Sequence, residues 1–223
     1  MKTIGLIGGT SWYSTMDFYK HINTYVEKAL GGHNNAKMVI VNVNMEEVMG
    51  NPRQKDLLRD AAKQLQVGGA DYISLCSNGL HEHFEVVKEA VTVPVIHIAD
   101  SVADAILRAG YHRALLLGAR DTMEAEFYPS KLEEKGIDVL IPDEEEREFI
   151  NDVLYNEATK GIIKSESSAR FYEIAEKHIA RGAQCVILGC TEVGMLMQQE
   201  QTKIPLFDST IIQSHALANL IME

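Results

Sequence analysis

The chain reads as an α/β protein made of two similar halves, each a mainly parallel sheet sandwiched between helix layers. Three observations predict this. Short continuous apolar runs alternate with stretches whose apolar residues recur at helical spacing, the pattern of parallel strands covered on both faces. The order of these runs repeats: Gly118 follows a run 110 residues after Gly8 does, and Cys190 follows one 113 residues after Ser77 does. The paired segments GADYISLCSN and GAQCVILGCT share one layout, a Gly-Ala pair, an apolar run and a small polar residue.

The first half opens on Thr3–Ile7, a buried strand that ends at Gly8-Gly9. Ile22, Val26, Ala29 and Leu30 then recur at helical spacing, and Met38–Val43 is a β-branched strand. Leu57, Leu58, Ala61, Ala62 and Leu65 mark a helix stopped by Gly68-Gly69. Tyr72–Cys76 is the third strand and Val93–Ile96 the fourth. In the second half Ala114–Leu117 leads to Gly118, Asp138–Ile141 answers Met38–Val43, Cys185–Leu188 answers the third strand, and Ile204–Phe207 answers Val93–Ile96. The last two runs are each followed by an aspartate, Asp100 and Asp208.

These elements predict a first half over 1–100 and a second over 101–208, related by a pseudo-two-fold axis, with a C-terminal helix over about 209–223 packing back on the first. Parallel α/β sheets bind ligands at the carboxyl ends of their strands. The expected site is therefore a cleft between the halves, with Gly8-Gly9-Thr10, Ser77-Asn78-Gly79, Gly118-Ala119-Arg120 and Cys190-Thr191-Glu192 around one ligand.

Composition narrows the function. The 223 residues are 46% hydrophobic, enough for a sizeable core, and the formal charge is −11. Such a charge argues against non-specific nucleic-acid or anionic-membrane binding, which needs a basic face. Three cysteines without disulfide spacing fit a reducing compartment. The apolar run in MKTIGLIGGT is too short for a secretory signal, and no stretch reaches the roughly 20 apolar residues of a membrane span. A soluble cytoplasmic protein is expected.

Several motifs bear on chemistry. Gly8-Gly9-Thr10-Ser11 matches neither nucleotide-loop pattern, and the second strand ends in Asn42 and Asn44 with no acid to hold a ribose. The glycines fit a close approach of backbone N–H groups to a carboxylate. Arg53, in Asn51-Pro52-Arg53-Gln54, reads either as a bidentate carboxylate clamp or as a solvated arginine before a helix. His81 and His83 stand at i and i+2, which do not share a helix face, and His97 fits a satisfied core histidine. No metal constellation is present in the sequence. The acidic run 143–148 fits the first turn of a helix. Cys190, between a strand end and a helix start, is placed for a lowered thiol pKa, whereas a structural cysteine sits inside a strand as Cys185 does.

GLIGGTSWYST, Ser77–His81, PVIHIAD, LLLGARDTMEAEFY, LGCTEVGML and PLFDST, in this order over nearly the whole chain, resemble the cofactor-independent aspartate/glutamate racemase family. The resemblance implies two pseudo-symmetric α/β halves, a homodimer, a small amino-acid substrate, and proton exchange at Cα without PLP or metal. It implies that one cysteine on each side faces the substrate, one as thiolate base and one as thiol acid. Inversion needs groups on opposite faces, and a thiol with pKa about 8.5 can serve in either state. Cys190 matches the second-half cysteine, and Ser77 stands at the first-half position, where cysteine is usual and threonine occurs. The implied substrate contacts are Thr10, Arg53, Gln54, Asn78, Gly79, Thr122, Lys160, Thr191 and Glu192. Departures from the family pattern are Ser77, Gly79 for threonine, Ala119 for threonine and Gln213 for histidine.

Cys76 does not replace the missing thiol, because successive strand residues point to opposite faces. A serine hydroxyl is a far weaker acid than a thiol, so Ser77 is a poor base but can donate or relay a proton. Three readings stay open: an asymmetric racemase in which Cys190 abstracts and Ser77 donates; a variant in which Ser77 replaces an original cysteine; and a single-cysteine enzyme similar to arylmalonate decarboxylases of the same superfamily. A non-catalytic amino-acid-binding protein is the alternative of another class.

Overall fold

The computed structural model describes residues 1–48 and 50–223. Eight strands form two four-stranded sheets. β1 (Thr3–Gly8), β2 (Lys37–Asn42), β3 (Tyr72–Leu75) and β4 (Val95–Ile96) make the first, in the order β2-β1-β3-β4. β5 (Arg113–Leu117), β6 (Asp138–Leu140), β7 (Cys185–Leu188) and β8 (Leu206–Asp208) make the second, in the order β6-β5-β7-β8. Every ladder is parallel. The chain divides into two compact units, Met1–Ile98 with Thr210–Glu223, and Ala99–Ser209. The predicted α/β class with a doubled parallel sheet is the observed one. Among the described residues, no helix is long and apolar enough to cross a membrane.

Each strand forms where the apolar runs lie. In the first unit Ile7, Ile73 and Leu75 pack with Leu58, Leu65 and Val87 from the helices, all fully buried. Side chains of this size each contribute about 1.5–3 kcal/mol on burial. In the second unit Leu115–Leu117, Val186 and Ile187 are buried with Ile150, Phe171 and Ile174. The fourth strand of each sheet begins one residue after a proline, at Val95 and Leu206. Pro94 and Pro205 have no N–H to donate, but their carbonyls accept from Ile73 and Val186 at 3.0 and 2.9 Å.

The ladders fix which residues of the two units correspond. Beyond the last paired residue of β3 the Cys76 N–H bonds Ile7 O at 2.9 Å; beyond β7 the Gly189 N–H bonds Leu117 O at 2.7 Å. Ser77 and Cys190 each stand one residue further on, at the same station. The same register places the aspartates that follow the two fourth strands at different stations. Ser74 pairs with Ile96 and Ile187 with Phe207, so Asp208 answers His97. Asp100 lies within the helix Ile98–Arg108.

The turn after β1 depends on its glycines. Gly9 has φ +101°, and a Cβ there would lie 1.9 Å from Val43 O. Ser11 caps the helix Trp12–Leu30 by accepting the Ser14 N–H, and Thr15 Oγ1 accepts the Gly9 N–H at 3.0 Å. The Gly9 N–H is thus used inside the turn.

Candidate active site

In the first unit the carboxyl ends of β1 and β3 bring Thr10, Ser77, Asn78 and Gly79 onto one edge of the sheet. Thr10 and Asn78 are buried, Ser77 is half-buried and Gly79 is exposed. Cys76 is fully buried, and burial pushes its thiol up, so it is inert, as the strand alternation predicts. Both peptide groups flanking the Ser77 Cα are tied: Ser14 Oγ donates to Cys76 O at 2.6 Å, and His81 Nδ1 lies 2.8 Å from Ser77 O. A Cβ at Gly79 meets nothing within 4 Å, so the departure from threonine leaves open space. Arg53 is exposed and precedes the helix Gln54–Val67; its N–H bonds Asn51 Oδ1 at 2.9 Å, and Gln54 is half-buried. Among the described residues the Arg53 guanidinium makes no ion pair. Gln213, the departure from histidine, is buried and donates to Ser74 Oγ at 2.8 Å, a core contact between β3 and the C-terminal helix Ser209–Met222.

In the second unit the edge after β7 carries Cys190, Thr191 and Glu192 at the start of the short helix Thr191–Leu196. Gly118 and Gly189 let the two loops touch: a Cβ on Gly118 would lie 3.1 Å from Gly189 O, and one on Gly189 would lie 2.8 Å from Leu116 Cδ1. Thr122 is buried against both glycines and supports this edge. Lys160 is exposed, on a turn packed against the Thr191–Leu196 helix, with Nζ 3.4 Å from Asn156 Oδ1. Cys190 is half-buried, and its Sγ donates to Glu192 Oε2 at 2.9 Å. The expected lowering of its pKa is corrected here. Burial, then the Glu192 carboxylate, raises the thiol well above its ordinary value and outweighs the amides of Thr191 and Glu192. A full negative charge at hydrogen-bond distance outweighs the partial charge of a one-and-a-half-turn helix.

One consequence is directly measurable. Replacing Glu192 with Gln removes that charge and lowers the Cys190 pKa. Alkylation of Cys190 by iodoacetamide at pH 8 then speeds up by about 10-fold, one pKa unit. Peptide mass spectrometry reads it without interference, since Cys76 and Cys185 are buried.

A family model described as Asp/Glu/hydantoin racemase matches residues 7–217. The chain belongs to this family. The racemase is 36% identical to an aspartate racemase homologue from Pyrococcus horikoshii OT3, over all of both chains, with a TM-score of 0.90. It is 24% identical to the broad-specificity amino-acid racemase RacX of Bacillus subtilis (strain 168), over 93% of this chain and 92% of that one. The Picrophilus torridus aspartate racemase shares its fold, with a TM-score of 0.73 at 23% identity, covering 97% of this chain and 95% of that one. The chain is an isomerase.

Two groups of the racemase were missed by sequence reasoning. Tyr155 is coupled electrostatically to the thiol: burial raises its pKa first, followed by the charges of Cys190, Asp121 and Glu192. Nothing in the local sequence marks it, because the coupling arises only once the helix Glu144–Asn156 has folded into place. His81 stands in the sequence as half of an HxH pair and as the end of the Ser77–His81 motif, neither of which gives it a role. Its signal was its place four residues after Ser77. Among the described residues no cluster of His, Cys, Asp and Glu could hold a metal ion.

Proposed function

We propose that this racemase interconverts the enantiomers of an acidic amino acid, aspartate or glutamate or both, without PLP or metal, using Cys190 and Ser77 as its two proton-handling groups. One observation carries the reading: Ser77 and Cys190 stand at the same register station of two sheets with the same strand order. Neither is fully buried, while Cys76 and Cys185 are.

In this reaction the Cys190 thiolate takes the Cα proton, so the Cα–H bond breaks and an S–H bond forms. The electron pair passes into the substrate carboxylate as an enolate-like species. The Ser77 O–H then gives its proton to the opposite face of Cα and regains one from water, and the Cys190 thiol gives its proton to the hydroxide so formed, which restores the starting state. Thr10, Asn78, Gly79 and Thr191 are assigned to the substrate carboxylate, where donors are worth most as charge develops. Arg53, Gln54 and Lys160 are assigned to the side chain, with Thr122 beneath the Cys190 edge. Glu192 is assigned to the substrate ammonium, which would draw the carboxylate away from the thiol and ease thiolate formation.

The raised pKa of Cys190 supports a second reading, the single-cysteine enzyme in which Cys190 only donates a proton. The test is chiral chromatography of the wild-type protein with both enantiomers of aspartate and glutamate, a panel of neutral amino acids, and a disubstituted malonate. Inversion of an acidic amino acid is the expected result. Turnover of the malonate alone sinks the racemisation reading.

A homodimer and a cytoplasmic setting belong to the same proposal. The dimer is supported by Trp12, Met16 and Tyr19, 57, 54 and 44% exposed and spaced as one stripe of the Trp12–Leu30 helix. The compartment is supported by three free cysteines.

A further inference from the structure

We propose that His81 is a positioning residue for the reaction: a buried imidazole, bonded at both ring nitrogens, that fixes the backbone on which Ser77 stands. The inference rests on the reading that Ser77 handles a proton.

The partners dictate the tautomer. Nδ1 lies 2.8 Å from Ser77 O, and a carbonyl oxygen only accepts, so Nδ1 carries the hydrogen. Nε2 lies 3.2 Å from the amide nitrogen of Ile98, which only donates, so Nε2 presents its lone pair. The ring is 1% exposed. His97 and Phe84 enclose it, with ring centroids 4.6 and 6.3 Å away. A protonated ring would set a second N–H against the Ile98 N–H, and burial pushes the imidazole down to about 4. The charged and titratable groups around it are His97 from the β4 end, Glu82 and His83 on its own turn, and Lys55, which acts on His83 from the helix Gln54–Val67.

The strut matters because of what it completes. Ser14 already holds the peptide before the Ser77 Cα, through Cys76 O at 2.6 Å. His81 holds the peptide after it. With both planes fixed, φ and ψ of Ser77 are set, and its side chain leaves the backbone in one direction. Proton transfer is sensitive to such placement. Ile98, at the other end of the strut, opens the helix Ile98–Arg108, so the Ser77 turn is tied to the end of β4.

Two near-isosteric replacements separate the two bonds. In His81→Asn the side-chain amide can still donate to Ser77 O from the place of Nδ1. In His81→Gln the amide oxygen can still accept from the Ile98 N–H at the place of Nε2. Both variants are expected to lose thermal stability to a similar degree. In steady-state assays on the preferred substrate, His81→Gln lowers kcat by about 30-fold with KM within about 3-fold, and His81→Asn keeps kcat within about 5-fold. Equal kcat loss in the two variants, or kcat tracking Tm in both, overturns the proposal. Nitrogen-15 NMR of the wild-type ring at pH 7 is an arm that needs no activity or variant: it should show the neutral Nδ1–H tautomer. A cationic ring or the Nε2–H tautomer overturns the proposal even if racemisation is intact. Should no amino acid be turned over, the racemisation reading fails by itself and the NMR result decides the geometry of the strut.

Discussion

Replacing Cys190 with alanine lowers exchange of the substrate Cα proton by about 10³-fold, the scale on which a positioned acid or base contributes. In the proposed reaction the loss falls on kcat, because there the thiol acts on the reacting hydrogen while the assigned carboxylate and ammonium contacts remain. Stability changes by less than about 1 kcal/mol, since the side chain is small and half-buried. Cys76→Ala is the matched control. Cys76 is buried at the other unit's edge with its thiol pushed far up, so it has no part in exchange, and activity stays near wild type. Proton NMR in D2O measures both. If Cys190→Ala exchanges as fast as wild type, the thiol has no role in the chemistry.

Gly9→Ala destabilises the protein by about 3 kcal/mol, read as a lower urea midpoint at unchanged slope. Two effects add. At φ +101° an L side chain is strained, and the new Cβ would lie 1.9 Å from Val43 O, a backbone atom that cannot swing aside. Relief requires β1 and the segment after β2 to separate, which breaks the 2.9 Å bond from Val43 N–H to Gly8 O. Thr10 and the cap at Ser11 move with that turn, so activity falls as well. Gly79→Ala, at a glycine of the same sheet edge with nothing within 4 Å of its Cβ position, changes stability by less than about 0.5 kcal/mol. A Gly9→Ala protein as stable as wild type contradicts the crowding at that turn.

Much of the fold was legible in the sequence because parallel strands buried on both faces are written as continuous apolar runs. Ile4–Ile7, Ile73–Leu75, Leu115–Leu117 and Val186–Leu188 could hardly be anything else. Element ends were less legible. The expected fourth strand over Val93–Ile96 begins only at Val95, because a proline cannot donate to the ladder. The correspondence of Ser77 with Cys190 was visible in the two matching segments, and the ladder register makes it definite. Asp208 ends β8 while Asp100 lies inside the helix Ile98–Arg108, because spacing along the chain does not say where a strand stops and a helix starts.

The site was legible in residue type but not in electrostatics. Cys190 was found by its place at a strand end. Its raised pKa comes first from burial and then from Glu192, whose carboxylate lies 2.9 Å from Sγ in a rotamer that no sequence pattern states. The Gly8-Gly9 pair marks a close backbone approach in the sequence without saying where the Gly9 N–H goes. Thr15, six residues on, takes that N–H. The charge coupling of Tyr155 to Cys190 arises only through tertiary folding.

The central claim is that two different groups, at Ser77 and at Cys190, handle the proton. It is tested most directly by running the reaction in D2O from one enantiomer of the preferred amino acid, stopping early, separating the enantiomers and measuring deuterium at Cα in each. With two groups, the inverted product carries solvent deuterium from Ser77, while recovered substrate keeps most of its hydrogen, returned by Cys190. Equal deuterium in product and recovered substrate would contradict the account, because a single group would then be removing the proton and delivering it to both faces.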